Sequence, residues 1–304
     1  MKRLPEFIFI TFIIIGLWFL YGVQGNAQNV AAQSRSAIMW MVNRWNGSGG
    51  DLSHCWIIPL VSVFIIWRKR KEFVSAPKKT NVIGFVIIVL SLTLHWFGFK
   101  AQLTRLSLLS LIGLLWGIPF YLYGKNIARL LLFPCAYLVF CIPLSFLNNI
   151  TVPLRIIVSS SACFILNGLG IVSVRTGTMI SSSIAGGFNF DVADACSGLR
   201  SLLAITALTA AYAYFTQRKV WKQWLLFVMA VPLAIAGNIV RILSIALVAV
   251  LFGQEKAVAV YHDLSGLIVF LAAVLLMVGF GELIRINYIK RLREWKKRST
   301  NNMS

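Results

Sequence analysis

Apolar stretches close to twenty residues long recur from one end of the chain to the other. Each is long enough to cross a hydrocarbon core of roughly 30 Å as a helix. Lipid offers no water to backbone N–H and C=O groups, so a spanning segment must be a helix or part of a closed barrel. The runs lack the apolar–polar alternation of barrel strands, and a helical bundle is what remains. Of the 304 residues, 59% are hydrophobic and the mean hydropathy is +0.80, which excludes a soluble domain. The expected fold is all-α, a polytopic membrane helical bundle of about 8 transmembrane helices forming one integral membrane domain over residues 1–304. The spans fall at 7–23, 54–67, 82–98, 106–124, 127–147, 198–215, 222–240 and 263–284. Met1-Lys2-Arg3 before the first run resembles a signal peptide. No small-x-small cleavage site follows it cleanly, so it is read as a retained span.

A net charge of +20 invites a nucleic-acid reading, but the distribution opposes it. The basic residues gather in short loops between apolar runs, as orientation signals do, with anionic lipid head groups a secondary attraction. With a cytoplasmic amino end, 20 of the 29 basic residues lie inside, including Arg68–Lys71 and a basic tail over 285–304. The expected topology therefore has both termini cytoplasmic and two long extracytoplasmic segments, 24–53 and 148–195. The first can hold an amphipathic surface helix. The second begins with an interfacial or re-entrant helix over 150–171. It continues as a small hairpin turning at Gly186-Gly187, placed just before Cys196. Between Trp221 and Phe252 the apolar run exceeds one straight crossing. A break near Gly237 and Asn238 keeps the charge rule intact, and brings Cys196, Arg241 and His262 to the outer face.

Cys196 follows a polar loop and opens an apolar run. Unpaired N–H groups and the positive dipole end of a helix favour thiolate over thiol there. Arg200, four residues on, shares its helical face and adds a cation. Asp194 is placed to cap that helix, though its charge acts against the thiolate. A nucleophile, a cation and an imidazole at one membrane face suit acyl transfer. Blander readings stand beside these. Cys196 alone reads as a small packing residue, Arg241 as a snorkelling side chain, and His262-Asp263 as a helix cap. Cys135, Cys141 and Cys163 read as buried packing residues and His95 as structural. His54, at an outer interface, is a candidate substrate contact. No spacing suits a metal, and nothing calls for a cofactor.

Together these residues resemble the exosortase/archaeosortase family of multi-pass cysteine transpeptidases. The resemblance rests on Ala195-Cys196-Ser197-Gly198-Leu199-Arg200-Ser201, on Gly237-Asn238-Ile239-Val240-Arg241, and on His262 with Gly266. It also rests on Ser53-His54 leading through Pro59 to Trp67-Arg68-Lys69-Arg70, with Cys55 where the family commonly has Gly. The resemblance implies an inner-membrane enzyme with its site on the extracytoplasmic side. Its substrates would be exported proteins ending in a short motif such as Pro-Glu-Pro, a membrane helix and a basic cluster. Cys196 would form a thioester, Arg241 would hold the oxyanion or orient the carbonyl, and His262 would move protons. Arg200, Asn238, Asp194 and His54 would support the site or bind substrate. Transfer to a lipid or glycan acceptor at the cell surface is implied, and no nucleic acid is a partner. His262, where archaeal members often carry Arg, points to the bacterial branch. The competing classes are a secondary transporter and a non-catalytic membrane assembly factor for exopolysaccharide or protein export.

Overall fold

The computed structural model describes residues 4–24, 35–46, 53–142, 147–182, 187–191 and 198–285, with the backbone alone at 4–7, 53, 147–151, 198–202, 256–270 and 272. The described residues are mostly helical, and they form two compact units, Met1–Ser145 and Phe146–Ser304.

The first unit opens with α1 (Leu4–Trp18), which widens into a π-helical turn over Phe19–Gln24. Helix α2 (Ala37–Trp45) is capped by Ser36, whose Oγ accepts from the Met39 N–H at 3.1 Å. This helix lies in the segment expected to carry one. Then come α3 (Ile57–Arg68), α4 (Arg70–Ser75), α5 (Val82–Lys100), α6 (Thr104–Tyr123) and α7 (Lys125–Tyr137). Helices α5 and α6 pack as a hairpin through small residues, which lets two backbones approach where lipid supplies no hydrophobic drive. A methyl group on Gly84 would stand 2.2 Å from the Tyr121 amide nitrogen, and one on Gly113 would stand 2.3 Å from Ser91 Oγ. Tyr21 closes the end of this interface. Its hydroxyl lies 2.7 Å from Ser110 Oγ, and its ring meets His95 at 4.6 Å between centroids.

The second unit begins with α8 (Leu147–Gly168) and a small sheet of β1 (Val174–Thr176), β2 (Met179–Ser181) and β3 (Asn189–Asp191). Helices α9 (Gly198–Thr216), α10 (Val220–Phe252) and α11 (Gln254–Arg285) complete it. The three strands pair antiparallel in the order β1-β2-β3.

Four expectations need correction. The run 127–147 is not one helix: α7 ends at Tyr137, a 3₁₀ turn follows over Leu138–Cys141, and Ile142 is extended. Pro143 comes next in the sequence, and proline disfavours helix in the residue before it. The expected hairpin is a three-stranded meander. Its first turn, unforeseen, is Gly177-Thr178, with Gly177 at φ +65, the positive φ that a two-residue hairpin wants at its first central position. The expected break at Gly237 and Asn238 is absent, and α10 runs unbroken for 33 residues, about 50 Å at helical rise. An interior Asn weakens a helix by only a few tenths of a kcal/mol to about 0.7, far less than unpaired backbone groups in lipid would cost. The break comes instead at Gly253, φ +91. Finally, α11 starts at Gln254, so His262 lies within that helix rather than ahead of it.

Three described helices are long and apolar enough to cross a membrane: Val82–Lys100, Thr104–Tyr123 and Val220–Phe252. Shorter apolar helical stretches are Ile8–Gln24, His54–Arg68, Val152–Gly168 and Leu203–Thr216.

Candidate active site

Helices α9, α10 and α11 run antiparallel in sequence, and polar contacts at one end lock their register. The Gln217 side-chain amide donates to the Gly281 carbonyl at 3.0 Å, and Lys222 Nζ donates to the Ile284 carbonyl. Thr209 Oγ1 lies 3.1 Å from Met277 Sδ, and the Tyr212 hydroxyl donates to the Val278 carbonyl. Further along, Ile205, Ala230, Ala234 and Ala273 form one buried cluster, so the three helices stay matched.

This register sets depths. Arg241 precedes Gly253 by twelve residues and His262 follows it by nine, so their backbones lie about 18 Å and 14 Å from that turn. Across the Thr216/Val220 link, Gly198 and Asn238 are each eighteen residues out, and so stand at one level. The start of α9, the Asn238-x-x-Arg241 turn of α10 and position 262 of α11 thus share a layer about 9 Å thick, under two helical turns.

Asn238 and Arg241 are half-buried, and Arg241 is engaged by a polar or electrostatic contact. Arg200 is the third residue of α9, and for it and His262 only the backbone is described. Cys196 and Asp194 lie outside the described residues, just before α9. His54 belongs to the first unit. It sits in the 3₁₀ turn Ser53–Trp56, with its Nε2 3.9 Å from Cys55 Sγ. Among the described residues, no three His, Cys, Asp or Glu side chains gather as metal ligands.

Helix α8 and the sheet complete this side of the unit. Val158, Ala162 and Leu166 of α8 share a core with Ile242, Ile245, Ala246 and Ala249 of α10 and with Ile180 and Phe188 from the sheet region. Gln254, just past α10, donates to the Asn189 carbonyl of β3 at 2.9 Å. The Asn167 side chain near the end of α8 accepts from the Ser173 N–H at 2.8 Å. Both helices therefore finish at the sheet and run in the same direction.

Sequence reasoning gave Arg155 no role. It lies on the buried face of α8, three residues before Val158, and its Nε is buried with no hydrogen-bond partner among the described residues. The available signal was an arginine in register with an apolar i, i+3, i+7 stripe.

A helical membrane protein with ionisable groups from several helices at one depth is the class that fold and site define. Within that class, residues 45–279 match the family described as Transmembrane exosortase (Exosortase_EpsH), and the chain belongs to it. No curated protein and no solved structure matched the chain.

Proposed function

We propose that this exosortase-family protein is a membrane-embedded cysteine peptidase and transpeptidase. It cleaves carboxy-terminal sorting signals of exported proteins and transfers the acyl group to a surface acceptor. The observation that carries this reading is that the α9 start, Arg241 and His262, three segments remote in sequence, lie within about 9 Å of one another in depth. Cys196, two residues ahead of α9, is the nucleophile. Its thiolate is favoured by the unpaired N–H groups of that helix start and by nearby cations. His262 accepts the thiol proton, and a group titrating near neutrality can return it to the leaving amine. Arg241 stabilises charge on the carbonyl oxygen, and Asn238, Arg200 and Asp194 orient the partners. His54 is assigned to substrate binding.

The site faces the extracytoplasmic side of an inner membrane, with both termini cytoplasmic. The fifth crossing stays with α7 and the turn after it, which run beside α3: Ser62 Oγ donates to the Pro134 carbonyl and Cys55 Sγ to the Phe140 carbonyl, while Ile127 and Leu131 cluster with Phe73 and Ala76. Cation–aromatic contacts occur at both faces: Arg70 over Trp67 at 4.5 Å, Lys78 over Tyr123 at 5.2 Å and Lys222 over Trp221 at 5.7 Å on the inner side, and Arg44 and Arg105 over Trp40 at 5.5 and 5.8 Å on the outer. Such pairs belong where a helix leaves the bilayer. The transporter reading drew on a broken helix at the site, whereas α10 is continuous there.

The deciding experiment uses cells carrying a reporter that ends in Pro-Glu-Pro, an apolar helix and a basic cluster. Cys196→Ala is expected to reduce processing about 10⁴-fold or more, with enzyme abundance unchanged. Equal processing by wild type and variant would sink the peptidase.

A further inference from the structure

We propose that Arg155 is a second guanidinium of the active site, one whose Nε–H donates to the oxyanion formed during acyl transfer. The inference rests on the thiol chemistry proposed above.

Depth is the first argument. Helices α8 and α10 end at the same sheet and run in parallel, with Val158, Ala162 and Leu166 layered alongside Ile242, Ile245, Ala246 and Ala249. Arg155 lies thirteen residues before the end of α8, and Arg241 lies eleven before the end of α10. At helical rise these are about 20 Å and 17 Å. Arg155 thus stands within one helical turn of Asn238 and Arg241, in the layer that holds the start of α9.

Burial without a partner is the second. A buried guanidinium nitrogen that donates to nothing is costly in any interior, and more so in a membrane protein. Structural arginines answer that cost with a carboxylate or a carbonyl. The Arg155 Nε has neither among the described residues. Arg241 is already engaged in the resting protein. A donor aimed at charge that exists only in the transition state is expected to be idle at rest.

The step balances without further reactants. The Cys196 thiolate adds to the carbonyl carbon, the Sγ–C bond forms, and the π pair moves onto oxygen. Arg155 and Arg241 hold that negative charge. Collapse re-forms the carbonyl and breaks the C–N bond, and the amine departs with the proton carried by His262.

The test uses the full-length protein in detergent and needs no sorting motif. Peptide mapping follows Cys196 with two probes. A p-nitrophenyl ester acylates sulfur through a tetrahedral oxyanion, whereas iodoacetamide alkylates it by direct displacement without one. In Arg155→Met, acylation should fall about 100-fold, the loss typical of one oxyanion donor, while alkylation stays within about threefold of wild type. Arg155→Lys, which keeps the charge but not the fork, should fall in between. The Tm of Arg155→Met should equal or exceed that of wild type, because a buried N–H without a partner has been removed. Unchanged acylation overturns the proposal and leaves the nucleophile standing. Parallel losses with both probes, or a lowered Tm, show a structural arginine and overturn it too. If wild-type Cys196 reacts with neither probe, the reactive thiol itself is wrong and the inference falls with it.

Discussion

Five cysteines share this chain, and their surroundings separate them. Cys55, Cys135 and Cys141 are buried, with Cys55 Sγ directed at the Phe140 carbonyl at 3.4 Å. Cys163, expected to be buried as well, is half-exposed, and its Sγ lies 3.4 Å from the Ser173 carbonyl where α8 meets the sheet. A thiol enclosed by side chains is shielded from hydrophilic reagents, whereas one in a polar segment at a helix start is not. A membrane-impermeant maleimide applied outside intact cells should therefore label Cys196 at least about tenfold faster than Cys135. Mass spectrometry of the labelled peptides measures it, and comparable rates would remove Cys196 from the aqueous rim. Cys196, Arg241 and His262 stand out in the sequence by type and spacing, and the resemblance they carry leads to the family that residues 45–279 match. Arg155 was not legible: without α10 beside it, an arginine on an apolar stripe cannot be told from one that snorkels to an interface.

At the scale of elements, composition revealed where apolar segments lie but not how far each helix continues. Gly237-Asn238 looks like punctuation, yet α10 passes through it, because Gly237 is buried and the helix satisfies its own backbone. The proline after Ile142 is real punctuation, and it shortens an expected span. Glycines in α5 and α6 have a different use, which only packing exposes. A methyl on Gly84 meets the Tyr121 and Phe120 backbone between 2.2 and 2.7 Å, and backbone cannot step aside. A methyl on Gly113 meets the Ser91 hydroxyl, which can rotate. Gly84→Ala should therefore destabilise the first unit by about 1–3 kcal/mol, as overpacking does, and Gly113→Ala by clearly less. Thermal unfolding of each variant in detergent gives the order. The reverse order would mean that α5 and α6 meet through another face.

For the whole molecule the open matter is which segments cross, since charge decides sides only once crossings are counted. Lys125 opens α7, and Gly177 is the first turn of the sheet; α7 with its 3₁₀ turn and α8 lie between them. If a single crossing separates them, Lys125 stays with the inner basic loops and Gly177 faces out on the same side as the proposed site. If none or two separate them, both positions share one side and every later segment changes sides. The basic tail beyond α11 would then be outside, against the charge rule. Each alternative yields a distinct labelling pattern for Lys125→Cys and Gly177→Cys, each read by mapping the peptide that carries the new cysteine. An impermeant thiol reagent added to intact cells should modify position 177 and leave position 125 unmodified until the membrane is opened. Labelling of both from outside, or of neither, would show that no single crossing separates them. The inward tail and the outward active site would then no longer be compatible.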